Sequence, residues 1–418
     1  MINFSKIFFD KKIFTFLYVL LPIALITGPF LSDLIIVTIC AYLILNLKSF
    51  TSDTIFELKI HYYFAFFYLS ICFSSIISEY SLYSLKSSIS YVRFGFFSFA
   101  VYFLIKNNKN IILLITKIFL IIFFILLFDS FFQYLFDYNL VGWRFDGHSY
   151  RVTSFFGDDE VLGSYIARLF PFVLSLIIFS QNELNFKFNN LFFILFFACS
   201  SLITLISGER TSMALLLLCI LVMFFTCHKL RKLILHCSIV ILISLTTVIF
   251  TSETTKNRML SQTLKQLGLV SKSERIVVFS KTYESHYKIA LKMIKQKPFF
   301  GHGPKTFRKF CAEPENFIND VACTTHPHNI LMQLLSETGI VGTLIYFIIF
   351  ISLLLKLIKI SLKGIFYKDK SQKEYLTLIY IFYFINLFPF APSGNFFNNW
   401  LSIIYYLPLG YFFFLLNC

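Results

Sequence analysis

Apolar runs of roughly 17–25 residues recur along nearly the whole of this 418-residue chain, and nothing else constrains its fold as strongly. A hydrocarbon core of about 30 Å takes about 20 helical residues to cross. Inside lipid the backbone must satisfy its own N–H and C=O groups, which leaves only helices and closed barrels. A barrel would show shorter, alternating segments. Composition agrees. The chain is 57% hydrophobic and 14% charged, where soluble domains carry about 25% charged residues. An ordinary soluble enzyme is therefore excluded, and the scarcity of Gly (15) and Pro (10) excludes a disordered or fibrous chain. The sequence predicts an all-α polytopic membrane protein.

A window of about 20 residues gives about twelve spans. Nine fall near 13–30, 31–47, 60–78, 88–105, 110–136, 161–180, 190–206, 211–227 and 232–250, and three near 331–355, 374–390 and 398–416. The chain thus divides into spans 1–9 over 1–250, a long polar loop over 251–330 and spans 10–12 over 331–418. No small-residue cleavage site follows the first run, so it is not read as a removable signal peptide. With the N-terminus cytoplasmic, the inside segments hold Lys6, Lys11, Lys12, Lys48, Lys59, Lys106, Lys109, Lys187, Lys229, Arg231 and Lys232, plus six lysines between 356 and 373. The short outside connections hold only Lys86, Arg93, Arg144, Arg151 and Arg210. This obeys the positive-inside rule and puts the long loop outside.

Within that loop, residues 274–297 place Ile276, Val277, Tyr283, Tyr287, Ala290, Leu291 and Ile294 at roughly helical spacing, with lysines largely opposite. The pattern predicts an amphipathic helix along the outer membrane–water interface. Of nine cysteines, Cys40, Cys72, Cys199, Cys219 and Cys237 lie in apolar runs, and Cys227 and Cys418 sit at span ends. Cys311 and Cys323 share the outer loop, where an oxidising compartment would pair them as a disulfide. The histidines nearby lack a four-ligand spacing, so no metal is expected.

Arginine usage points to chemistry. Of the nine arginines only Arg231 falls on the predicted cytoplasmic side, although lysine would serve topology equally well. Arginine offers a planar fork that grips phosphate oxygens in pairs and stays charged in a low dielectric. An outer-facing cavity holding a diphosphate follows as a hypothesis; the alternative is interface snorkelling and ordinary ion pairing. Arg210 stands in the short polar break Ser207-Gly208-Glu209-Arg210, where charge at membrane depth is costly and usually functional, or else pairs with Glu209. Arg168, one turn into a span, either lines the same cavity or pairs with Glu160 or Asp159. The stretch from Arg151 to Glu160 either supplies acceptor contacts or caps the next helix.

His326-Pro327-His328-Asn329 precedes the span near 331. Histidine's ordinary pKa of about 6.5 suits general-base work near neutrality, and Pro327 fixes the turn. Asn329 and the following helix N-terminus could orient an imidazole, bind an anion or simply cap the helix. No phosphate-binding loop, dinucleotide motif or Gly-x-Ser-x-Gly elbow is present, so no cofactor is expected. Paired intramembrane carboxylates suited to proton-coupled transport are missing too, Asp129 being the main buried acid. The basic loop faces outward, which excludes a nucleic-acid partner.

Pro298-Phe299-Phe300-Gly301-His302-Gly303-Pro304, Thr325-His326-Pro327-His328-Asn329 and Leu334-Leu335-Ser336-Glu337-Thr338-Gly339-Ile340-Val341-Gly342 together resemble the O-antigen ligase and O-antigen polymerase superfamily of bacterial inner-membrane polysaccharide assembly. Ser207-Gly208-Glu209-Arg210 looks like the family's first arginine element, and Ser273-Glu274-Arg275 like its second. The stretch from Pro392 to Trp400 also resembles relatives. The resemblance implies a GT-C-like architecture and a metal-independent, inverting glycosyl transfer on the periplasmic face. The donor would be a glycan on undecaprenyl diphosphate. The acceptor would be lipid A-core for a ligase, or another lipid-linked glycan for a polymerase. By this resemblance His328 is the base, His326 the alternative base, and Arg210 and Arg275 hold the diphosphate; Asn329, Arg151, Arg168 and Glu160 are accessory. The ligase is favoured over the polymerase. A flippase or polysaccharide transporter is the rival of a different class: it would account for the spans and a cationic cavity, but not for the histidine motif.

Overall fold

The computed structural model describes residues 11–45, 60–144, 151–266, 280–366 and 373–417. Arg275 and Cys418 lie outside the described residues. The longer helices are α1 (Lys11–Ala24), α2 (Pro29–Leu45), α3 (Ile60–Ile76), α4 (Ser81–Asn107), α5 (Asn110–Phe136), α6 (Leu162–Glu183), α7 (Asn190–Ile206), α8 (Arg210–Thr226) and α9 (Arg231–Thr251). They continue with α10 (Lys281–Gln296), α11 (Ile330–Phe366), α12 (Glu374–Asn386) and α13 (Asn399–Leu416). No strand is present among the described residues. Each apolar run of the sequence coincides with one of these helices. Six are long and apolar enough to cross a membrane: α4, α5, α6, α9 with the turn before it, α11 as far as Gly364, and α13. The other predicted spans are helical but shorter, so among the described residues length and composition alone support six of the twelve.

The chain forms two compact units. One comprises Met1–Ile39, Val101–Thr263 and Leu353–Asn386. Its axis is α6, buried almost throughout from Leu162 to Ser180, because apolar residues occupy every face. It packs against α5, α7, α8 and α12. Polar side chains act as cross-links between helices here, as they do where lipid removes water's competition. Ser175 Oγ donates to the Tyr375 carbonyl (2.6 Å), and Tyr165 OH to the Pro22 carbonyl (3.0 Å).

The second unit comprises Cys40–Ala100, Leu264–Ser352 and Leu387–Cys418. Helices α3 and α4 approach closely through small residues, with Ser75 Oγ 2.7 Å from Ser84 Oγ. The described part of the polar loop is folded. α10 begins at Ser280, whose side chain accepts from the Tyr283 N–H. It buries Ile289, Ala290 and Met293 against Phe307, Phe310, Cys311 and Ala322, and buries His286 beside the Val321 carbonyl. That stripe is rotated by about one residue from the predicted one, and Leu291 is 48% exposed. The helix therefore covers the loop's own core with a face adjacent to the one expected to lie on lipid, and only Ala290 belongs to both. Its expected start, including Ile276 and Val277, lies outside the described residues. Cys311 and Cys323 form a disulfide with Cα atoms 5.2 Å apart. Lys297 pairs with Glu79 at 2.6 Å, and Lys309 lies 5.4 Å above the Tyr83 ring, tying the loop to the α3–α4 turn.

Candidate active site

The Pro-Phe-Phe-Gly-His-Gly and Glu-x-Gly-x-x-Gly stretches are two halves of one backbone joint. α11 is broken at Gly339 (φ 65°), which frees carbonyls on its first segment. His302 N–H donates to the Ser336 carbonyl (3.1 Å) and Gly303 N–H to the Glu337 carbonyl (2.7 Å). In return Ile340 N–H donates to the Pro298 carbonyl (2.8 Å) and Val341 N–H to the Phe299 carbonyl (3.1 Å). Gly301 and Gly339 both have positive φ and meet backbone where a Cβ would stand, so no other residue fits this crossing. The Glu337 carboxylate accepts from the Phe307 N–H (3.1 Å) and from Gln333 Nε2 (2.9 Å).

This joint fixes the start of α11, where the histidines stand. Asn329 is the N-cap: its Oδ1 accepts from the Met332 N–H at 3.0 Å, and its Nδ2 donates to the Pro389 carbonyl at 2.8 Å. His328 takes φ 53°, and its carbonyl accepts from the Ser393 N–H at 3.0 Å. A left-handed non-glycine residue held from both sides is the kind of local strain that collects at functional sites.

Three imidazoles converge. The His328 ring centroid lies 4.1 Å from that of His326, 5.2 Å from that of His286 and 5.6 Å from the Tyr283 ring. Their hydrogen bonds separate their roles. His326 Nε2 faces the Ser393 carbonyl at 3.2 Å and must donate, so its Nδ1 accepts from Thr325 Oγ1 at 2.8 Å. His286 Nε2 donates to the Val321 carbonyl at 2.9 Å, and its Nδ1 is buried without a partner. No hydrogen bond engages the His328 ring among the described residues. Burial, and then the neighbouring His286, hold His328 down to about 4; burial and His328 hold His326 down to about 3. Both are neutral at pH 7, and only His328 then has its ring nitrogens uncommitted. His286 was not singled out in the sequence, for it sits mid-helix among lysines. Nor was Ser393 given a role, although its segment carried the resemblance.

In the other unit, Glu209 turns away from the role of simple partner to Arg210. Its carboxylate accepts from the Gly163 N–H (2.6 Å), the Ser164 N–H (3.1 Å) and Ser212 Oγ (2.9 Å), closing the open N-terminus of α6. Arg210 is half-buried and donates to Thr263 Oγ1 at 3.2 Å; Arg258 donates to the Gly208 carbonyl at 3.3 Å. Arg151 and Glu160 form an ion pair. Arg168 therefore does not pair with Glu160: it donates to Ser164 Oγ (3.0 Å) and Asn386 Oδ1 (3.1 Å), and Asn386 Nδ2 returns a bond to the Arg168 carbonyl. The reason is position, since Arg168 is 4% exposed within α6 and Asn386 ends the adjacent α12.

Residues 195–347 match the family model described as O-antigen ligase. That segment belongs to the O-antigen ligase and polymerase superfamily. It takes in the Ser-Gly-Glu-Arg turn, the backbone joint and the histidine motif; Arg151, Glu160 and Arg168 lie before it. No curated protein matches the sequence. The match covers 153 of the 418 residues and shows what this segment is similar to; together with the apolar helices it indicates a membrane protein.

Proposed function

We propose that the chain is an inverting O-antigen ligase of the bacterial inner membrane, transferring a glycan from undecaprenyl diphosphate to a sugar hydroxyl of lipid A-core on the periplasmic face. The observation that carries this reading is His328: neutral at pH 7, held by its backbone, and with no hydrogen bond to either ring nitrogen among the described residues. A neutral imidazole with an open nitrogen can take a proton; one whose nitrogens are both engaged, as in His326, cannot do so without losing a bond.

In this mechanism His328 removes the proton of the acceptor hydroxyl as its oxygen bonds to the anomeric carbon. The bond from that carbon to the diphosphate oxygen breaks on the opposite face, inverting the centre, and undecaprenyl diphosphate leaves. Arg210 and Arg275 grip the diphosphate and offset its growing charge, a task for which guanidinium forks suit phosphate better than ammonium groups. Arg168 and Asn329 act by positioning, through α12 and the 389–393 segment respectively.

The test is transfer by purified, reconstituted protein from undecaprenyl-diphosphate glycan to lipid A-core, with His328→Ala and Arg210→Lys compared. Product on lipid A-core that vanishes in both variants is expected. Lengthened glycan without lipid A-core product would instead assign the polymerase reaction, and donor depletion without any transfer would assign a transporter.

A further inference from the structure

The cytoplasm-directed end predicted for α11 carries Lys356, Lys359 and Lys363, spaced by three and four so that all three leave one face of the helix. With Ile360, and with Lys373, Leu376, Thr377 and Tyr380 at the head of α12, they line a cavity of 290 Å³. Its wall is fixed. His228 Nε2 donates to the Ile360 carbonyl at 3.3 Å, and Gly364 lies so close to the His228 ring that a Cβ would collide with it. Glu374 accepts from the Lys229 N–H at 2.9 Å, which holds the start of α12.

Among the described residues no carboxylate pairs with any of the four lysines. Lys356 instead lies 5.5 Å above the Tyr380 ring. Like charges gathered at one cavity repel, and an anion placed among them removes that cost. The preference for basic residues on the cytoplasmic side accounts for lysines here. It does not require them to converge on a cavity with apolar walls. From Ile340 to Lys359 the helix rises about 30 Å, one hydrocarbon thickness, so the lysines stand at a membrane–water boundary.

We propose that this cavity binds the headgroup of an anionic phospholipid, its phosphate among Lys356, Lys359, Lys363 and Lys373 and its first acyl carbons against Ile360 and Leu376. Basic pockets between spanning helices on the cytoplasmic side suit such headgroups. The site is independent of the transfer reaction proposed above.

The experiment is native mass spectrometry of the full-length protein, delipidated and then given equal phosphatidylglycerol and phosphatidylcholine. Phosphatidylglycerol adducts should dominate, and the preference should fall about fivefold for each lysine lost in Lys359→Gln and Lys359→Gln/Lys363→Gln. Lys187→Gln, outside the cavity, should leave it unchanged. All these lysines are exposed, so folding is checked by size exclusion and retained. Equal adducts of both lipids would overturn the proposal, as would an equal loss in Lys187→Gln. Full displacement by millimolar inorganic phosphate would also overturn it, leaving a small-anion site in place of a lipid site.

Discussion

His326 and His328 hold their rings 4.1 Å apart, yet only His326 is tied by both nitrogens, to Thr325 and to Ser393. In the proposed mechanism the pair therefore divides into an orienting residue, His326, and a base, His328. His328→Gln is expected to lower transfer about 10²- to 10⁴-fold, the range of a lost general base, with thermal stability near wild type. His326→Gln should cost less in transfer but more in stability, because it leaves a buried carbonyl short of its donor. Parallel transfer assays and melting curves check this; equal losses of transfer in both variants would contradict the division.

The low values of both histidines fix a pH dependence. Transfer should keep an acid limb near pH 4, where His328 becomes protonated, rather than near 6.5. For stability, the unfolded chain binds protons at these two rings from about pH 6.5 downward, whereas the folded chain refuses them until about 4 and about 3. Between about 4 and 6.5 the unfolded state thus carries more protons, and stability rises with pH through that window and levels above it. Melting temperatures in detergent from pH 5 to 8 test the sign, and His328→Gln should flatten part of the slope.

Helix positions were legible because lipid leaves a chain little choice but long apolar helices. The two histidines and the two loop cysteines were legible because motif and compartment mark them locally. What escaped depended on partners distant in sequence. The tautomer of His326 is set by Ser393, 67 residues on, and Arg168 answers to Asn386, 218 residues on. The buried face of α10 escaped for another reason. Tyr287, Leu291 and Ile294 make as good a helical stripe as His286, Ile289 and Met293, and only the small core around Phe307 and Phe310 decides between them.

Gly339 sits at φ 65° with the Phe299–Phe300 backbone where its Cβ would be. Gly339→Ala must move one side of the joint and give up hydrogen bonds of Ile340 or Val341, so it should destabilise by at least about 2 kcal/mol. Gly394→Ala is the control: its Cβ would meet Leu401 at 3.8 Å, an ordinary contact. Thermal unfolding of the two variants should separate them clearly. A Gly339→Ala protein melting with wild type would show that the joint can yield.

Asn329 performs two tasks with one amide. Its Oδ1 caps α11 at Met332, and its Nδ2 holds the Pro389 and Ala391 carbonyls at 2.8 and 3.4 Å. Asn329→Asp keeps a good cap but turns an acceptor toward two carbonyl oxygens, whereas Asn329→Ala loses both tasks. If the clamp matters, Asp should be no better than Ala in transfer, because the 389–393 segment bears the Ser393 backbone that fixes both His326 and His328. If only the cap matters, Asp should match wild type and Ala should lose about 1 kcal/mol of stability. The first outcome is expected, since the Nδ2 bonds are buried and a carboxylate there would lie against unpaired oxygens. Transfer rates and melting temperatures of the two variants, measured side by side, decide it.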